Sequence, residues 1–245
     1  MGKYFGGEGL GDGFVLFGTG HLVALGLLIA AMFWMVRTFA DADDATRQRA
    51  RLTIAALLWG QEISYHLWRF SIGEWTPVTM LPFHLCSAAV WLGGFALLTN
   101  SRALAEYLYF FALAGATQAL LTPDIGPYTF PHYRFWQFFV SHGLIVTSAV
   151  WLTFVERFAP SARSLLRAIA VTIVYGVAVL GINTLLGSNY LFVSRKPDTA
   201  SALDLMPPWP HYLWILAGLV SVIYSVLYLP WAIRGARVNA AKGAA

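Results

Sequence analysis

Leu81-Pro82-Phe83-His84-Leu85-Cys86 opens an apolar run that continues to Leu98 and holds the only cysteine of the chain. Read as one segment from about 78 to 98, it has the ~20 residues that a helix needs to cross ~30 Å of hydrocarbon. Six further runs of the same kind surround it, at about 14 to 37, 52 to 70, 104 to 122, 135 to 155, 164 to 187 and 209 to 230. With 58% hydrophobic residues, 11% charged residues and a mean hydropathy of +0.62, the 245-residue chain lies far from the soluble average. The expected fold class is an all-α membrane protein with seven transmembrane helices.

The basic residues set the expected orientation. Eleven (Arg37, Arg47, Arg49, Arg51, Arg102, Arg157, Arg163, Arg167, Arg234, Arg237 and Lys242) fall on one side of the alternating runs, and five (Lys3, Arg69, Arg134, Arg195 and Lys196) on the other. The positive-inside bias then puts the amino terminus outside and the carboxy terminus in the cytoplasm. The net charge of +4 is spread over short caps between apolar runs, so no nucleic-acid partner is expected. A single cysteine excludes an internal disulfide and any CxxC metal or redox motif.

The chain reads as three regions. Residues 1 to 13 are expected to be a flexible outer tail: their glycines miss the GxGxxG spacing, and without a basic n-region no removable signal peptide is expected. Residues 14 to 233 form the transmembrane domain. Residues 234 to 245 read as a short, disordered basic tail in the cytoplasm. A weak repeat links Pro123-Asp124 and Phe130-Pro131-His132-Tyr133 to Pro197-Asp198 and Trp209-Pro210-His211-Tyr212, and Leu81-Pro82-Phe83-His84 begins similarly. Proline suits the first turn of a helix, where its missing N–H is no loss, so these sequences read as helix starts.

Polar residues inside the apolar runs mark the candidate site. Counted from the cytoplasmic helix ends at ~1.5 Å per residue, Glu62, His66, Cys86, Gln118 and His142 all lie roughly 15 to 21 Å up. Glu62, His66 and Arg69 share one face at i, i+4 and i+7, beside the pair Gln61 and Tyr65. An ionisable group at such depth costs on the order of 2.5 to 3.5 kcal/mol, so the stripe must face protein or water. It reads either as an interhelical clamp or as a substrate site.

Cys86 alone would read as a small hydrophobe. With Pro82 as first helical residue, however, it sits in the second turn, near the positive end of the helix dipole, at the depth of a histidine from another helix. His84, two residues away, points about 200° round the axis. His142 is therefore the better base, with His66 second, and Gln118, His66 or Asn183 could donate to an oxyanion. His132 and His211 read as interfacial anchors, and His21 as a packing contact. An alternative gathers His66, His84, His142 and Glu62 around zinc for lipid hydrolysis, although no HExxH spacing supports it. Another is a transporter or small-ligand receptor in which the polar layer binds without reacting.

The chain also resembles a known family, the YwaF-like bacterial integral membrane proteins, which are similar to vertebrate transmembrane protein 164. The likeness rests on Trp59-Gly60-Gln61-Glu62, Leu81 to Cys86, Thr122-Pro123-Asp124, and Pro131-His132-Tyr133-Arg134-Phe135 leading to His142. It continues through Asn183, Asn189-Tyr190-Leu191-Phe192, Lys196-Pro197 and Asp204 to Tyr212. The resemblance implies a membrane acyltransferase acting on phospholipids and lysophospholipids, with the family's cysteine at Cys86 and its histidine at His142; no cofactor or metal is expected. Gln61, Glu62, His66, His84, Gln118 and Asn183 are the expected substrate contacts. Arg-over-Lys usage and the Ala-rich tail suggest a GC-rich bacterium, whose cytoplasmic membrane would be the location.

Overall fold

Side chains that accept from the first free N–H groups start several helices. Asp43 takes a bond from the Thr46 N–H at 2.8 Å, Ser101 from Leu104 at 3.4 Å, Ser161 from Ser164 at 3.1 Å, and the His132 ring from Arg134 at 3.0 Å. The computed structural model describes residues 2–10, 13–198 and 201–243, with backbone alone for 238–243. It is all-helical, with no strand among the described residues. The long helices are α1 Thr19–Phe39, α2 Asp44–Ser71, α3 Leu85–Thr99, α4 Arg102–Leu121, α5 Tyr133–Val155, α6 Ala162–Leu186 and α7 His211–Gly243.

Five of them (α1, α4, α5, α6 and the Arg237-bounded part of α7) are long and apolar enough to cross a membrane. α3 falls short in length at 15 residues, and α2 carries too many polar side chains. Many large apolar side chains of α1, α6 and α7 point outward, among them Ile29, Phe33, Leu166, Val174 and Trp214. Such apolar exteriors suit lipid rather than water.

The chain divides into two units. The first comprises residues 1–75 and 86–158, and α5 is its centre, packed by α1, α2 and α4. Phe135, Phe138, Phe139, Ile145, Trp151 and Val155 of α5 are buried, and so are Gln137, Ser141 and Ser148. A Cβ at Gly143 would lie 2.4 Å from Leu28 Cδ2, and one at Gly94 of α3 would lie 2.1 Å from the Trp59 indole nitrogen. Those glycines let α1 approach α5, and α2 approach α3. His21 of α1 sits in a cage of Phe14, Phe17 and Phe139 and binds the Leu120 carbonyl at 2.8 Å, an orphan at the end of α4.

The second unit comprises residues 76–85 and 159–245 and packs α6 against α7. Its loops carry short 3₁₀ turns at Tyr190–Phe192 and Ala202–Leu205. Segment 76–84 is irregular, contrary to the continuous helix expected from about 78. Its backbone groups bond instead to hydroxyls of its own unit: Tyr190 donates to the Pro77 carbonyl at 2.6 Å and accepts from the Leu81 N–H at 2.9 Å, and Tyr175 donates to the Phe83 carbonyl at 3.0 Å.

Both expected tails contain described structure. Four successive carbonyls near the amino terminus are held: Tyr4 by the Tyr133 N–H at 2.9 Å, Phe5 by the Trp68 indole at 2.9 Å, Gly6 by His132 at 3.1 Å and Gly7 by the Tyr128 hydroxyl at 2.7 Å. Donors on neighbouring elements thus tie down a segment whose glycine content suggested flexibility. At the other end, helix-forming Ala, Arg and Lys carry α7 on to Gly243. Residues 1, 11, 12, 244 and 245 of those expected tails lie outside the described residues.

The prolines of the repeat precede their helices instead of entering the first turn. α5 begins two residues after Pro131, α7 one residue after Pro210, and α3 three residues after Pro82.

Candidate functional site

The polar stripe of α2 meets α5 in the first unit. Gln61, half-buried, anchors its own amide by donating to the Leu58 carbonyl at 3.0 Å and accepts from the Gln137 amide at 3.0 Å. Gln137 in turn accepts from the Arg134 guanidinium. That guanidinium lies over the rings of Tyr65, at 4.7 Å, and Phe138, at 5.3 Å. Ser64 and the Tyr133 hydroxyl, 2.7 Å apart, close the same contact toward the amino end of α5.

Beside this network Glu62 is buried, with its carboxylate 3.6 Å from His66 Nε2. The Trp75 indole donates to His66 Nδ1 at 2.8 Å. An indole N–H can only donate, so in neutral His66 the proton is on Nε2, facing Glu62.

His142 follows two helical turns below Arg134. Its ring packs on Phe138 at 4.2 Å, and its Nδ1 lies 2.9 Å from the Phe138 carbonyl. A carbonyl can only accept, so Nδ1 carries the proton and Nε2 keeps a lone pair. That is the tautomer of a general base. Cys86 is the second residue of α3, half-buried, in its first turn rather than its second. The thiol makes no hydrogen bond among the described residues, and the one bond of the His142 ring among them is to Phe138.

The remaining expected contacts lie on other elements. Gln118 is exposed and lies after the π-helical turn Ala112–Ala116, which inserts an extra residue and re-phases the helix beyond it. A regular 3.6-residue period cannot anticipate that rotation. His84 belongs to the second unit and to a loop, where its Nδ1 accepts from the Leu191 N–H at 3.3 Å between the rings of Tyr190 and Phe192. Asn183, also in the second unit, is buried and largely spent: its oxygen accepts from Tyr190 N–H at 2.9 Å and Ser188 at 2.8 Å, and its amide donates to the Tyr190 carbonyl at 3.0 Å. It clamps a loop whose Leu191 and Phe192 adopt positive φ. The zinc alternative is corrected as well, because no group of three or more His, Cys, Asp or Glu able to hold a metal forms among the described residues.

Gln137 and Arg134 join the site without having been expected there. Gln137 carries the same signal that singles out Gln118, a polar side chain inside an apolar run, and it stands three residues after Arg134. Arg134 counts toward the orientation bias, which masks its second role. His132, expected as an interfacial anchor, is instead buried, capping α5 through Nδ1 and donating from Nε2 to Gly6. Burial holds its pKa below the ordinary imidazole value, with the bond to Gly6 opposing.

The profile of the TMEM164 family matches residues 16–228. The chain belongs to the TMEM164 family. An uncharacterized protein of Treponema pallidum (strain Nichols) is similar to it, 28% identical over 227 residues that cover 89% of this chain and 90% of the relative. No solved structure matches. The family match takes in Glu62, Cys86, Arg134, Gln137 and His142, so the constellation lies wholly within the part shared with the family.

Proposed function

We propose that this TMEM164-family chain transfers acyl groups between phospholipids and lysophospholipids in the bacterial cytoplasmic membrane, with Cys86 as nucleophile and His142 as base. The observation that carries the reading is the His142 tautomer: Nδ1–H held by Phe138 leaves Nε2 free to take a proton, in the same unit as the half-buried thiol. All seven long helices span, with the amino terminus outside. α2, 28 residues or ~42 Å long, carries its polar stripe against α5. α3 is completed by segment 76–84, whose tyrosine-bonded backbone suits irregular chain at membrane depth.

In the first half-reaction Nε2 of His142 takes the thiol proton, and Cys86 sulfur attacks the acyl carbonyl carbon. The tetrahedral oxyanion forms at the start of α3, where the N–H groups of Cys86 and Ser87 lack partners within the helix. Collapse breaks the ester C–O bond, leaving a thioester on Cys86, and the imidazolium returns its proton to the departing lysolipid alkoxide. In the second half-reaction His142 takes the proton of an acceptor lysolipid hydroxyl, that oxygen attacks the thioester, and sulfur leaves and is reprotonated.

Purified protein, labelled phosphatidylcholine and lysophosphatidylethanolamine provide the test. Wild type forms labelled phosphatidylethanolamine; Cys86→Ala and His142→Ala, folded by thermal melt, lose at least about two orders of magnitude in rate. Retained turnover in Cys86→Ala sinks the mechanism. Product formation that stops on chelation would reinstate the zinc alternative, and saturable uptake surviving Cys86→Ala would favour transport.

A further inference from the structure

Arg134 is a cation in the first turn of α5, where the positive end of the helix dipole disfavours one. It is half-buried, and its bond to Gln137 leaves most of its N–H fork unused. Glu62 makes its close contact with His66 and also feels the Arg134 charge, and Glu74 pairs with Arg69 at 2.7 Å. Among the described residues no carboxylate forms an ion pair with Arg134. A half-buried cation at the start of an apolar span that reaches no carboxylate at ion-pair distance keeps donors to offer an anion. The rings of Tyr65 and Phe138 and the amide of Gln137 hold the guanidinium in place, so its position is built rather than incidental.

The second observation is the Phe138 ring, which separates Arg134 from the candidate base. Its centroid is 5.3 Å from the guanidinium carbon and 4.2 Å from the His142 ring. In a glycerophospholipid the phosphate and the nearer acyl ester are likewise separated by only a few bonds of the glycerol. Arginine offers a planar fork that matches phosphate oxygens.

We infer that Arg134 binds the phosphate of a glycerophospholipid and so sets the ester carbonyl beside His142. Arg134 is a positioning residue. The inference deepens the acyl-transfer reading and rests on it for the identity of the reacting ester, but the phosphate site stands on Arg134 and its surroundings alone.

The experiment uses the purified full-length protein in maltoside detergent, with dodecylphosphocholine as probe, a single-chain phosphodiester without an acyl ester. Binding is read by intrinsic tryptophan fluorescence for wild type, Arg134→Lys and Arg134→Gln, with dodecanol and inorganic phosphate as comparison ligands. Wild type binds the probe, Arg134→Gln weakens binding by about tenfold or more, and Arg134→Lys falls between. Equal affinity in wild type and Arg134→Lys, which keeps the charge and guards against a misfolded Arg134→Gln, together with equal affinity in Arg134→Gln, overturns the inference. Inorganic phosphate binding as tightly as the lipid overturns the lipid source. Arg134-dependent binding in a protein that transfers no acyl group removes the acyl-transfer reading and leaves the phosphate site. Normal transfer with Arg134-independent binding does the reverse.

Discussion

His132→Ala removes three things at once, and the structure gives each a size. The α5 cap goes, because Nδ1 no longer accepts from the Arg134 N–H at 3.0 Å, at a cost of about 1 kcal/mol. The Gly6 carbonyl loses its donor at 3.1 Å, about 1 kcal/mol more. The buried ring also leaves its contacts with Tyr128 at 4.7 Å and Trp68 at 6.1 Å, for roughly 1 to 3 kcal/mol of packing. Together these predict a loss of about 3 to 5 kcal/mol, or roughly 6 to 20 °C in Tm for a chain of this size. His132→Asn keeps a capping acceptor and should fall between the alanine variant and wild type.

The pH dependence of the same site has a defined sign. His132 titrates below the ordinary imidazole value in the fold, because burial disfavours its charged form, so the unfolded chain takes up the proton first. Its stabilising contribution is complete above pH ~6.5 and is lost as pH falls through the folded value. Thermal melts in detergent from pH 8 to 5 should therefore show the wild-type advantage over His132→Asn shrinking with falling pH. An alanine variant within about 2 °C of wild type at pH 8, or an advantage constant across the series, would refute this account of the cap and the amino-terminal contact.

Two structural predictions accompany it. Asn183→Ala strips partners from the Tyr190 N–H, the Tyr190 carbonyl and the Ser188 hydroxyl, and should lower stability by about 2 to 4 kcal/mol; a detergent melt unchanged from wild type would show that the loop holds without the clamp. Gly94→Ala brings a Cβ to 2.1 Å from the Trp59 indole nitrogen and should cost about 1 to 3 kcal/mol with a shift in tryptophan emission. Gly60→Ala, whose Cβ would meet nothing within 4 Å, should melt like wild type or slightly higher, and equal melts for the two variants would remove the close helix approach at Gly94.

Composition and local order alone specified the helices. Long apolar runs favour them because backbone polar groups without water must bond within their own segment, and each of the seven runs holds one of α1 to α7, although that from about 78 turns helical only at Leu85. Glu62 and His66 were legible as neighbours because an i, i+4 spacing on one helix needs no tertiary information. The partnership of Gln61 with Gln137 was not legible, since which faces of two helices meet depends on packing all along them. The π turn that re-phases the helix before Gln118 leaves no mark in hydropathy, and the loop bonds of Asn183 and His84 exist only in the folded chain. Even the His142 tautomer, fixed by a carbonyl four residues back, is readable only from the side-chain rotamer. Composition specifies which groups must leave water; tertiary packing decides which of them meet.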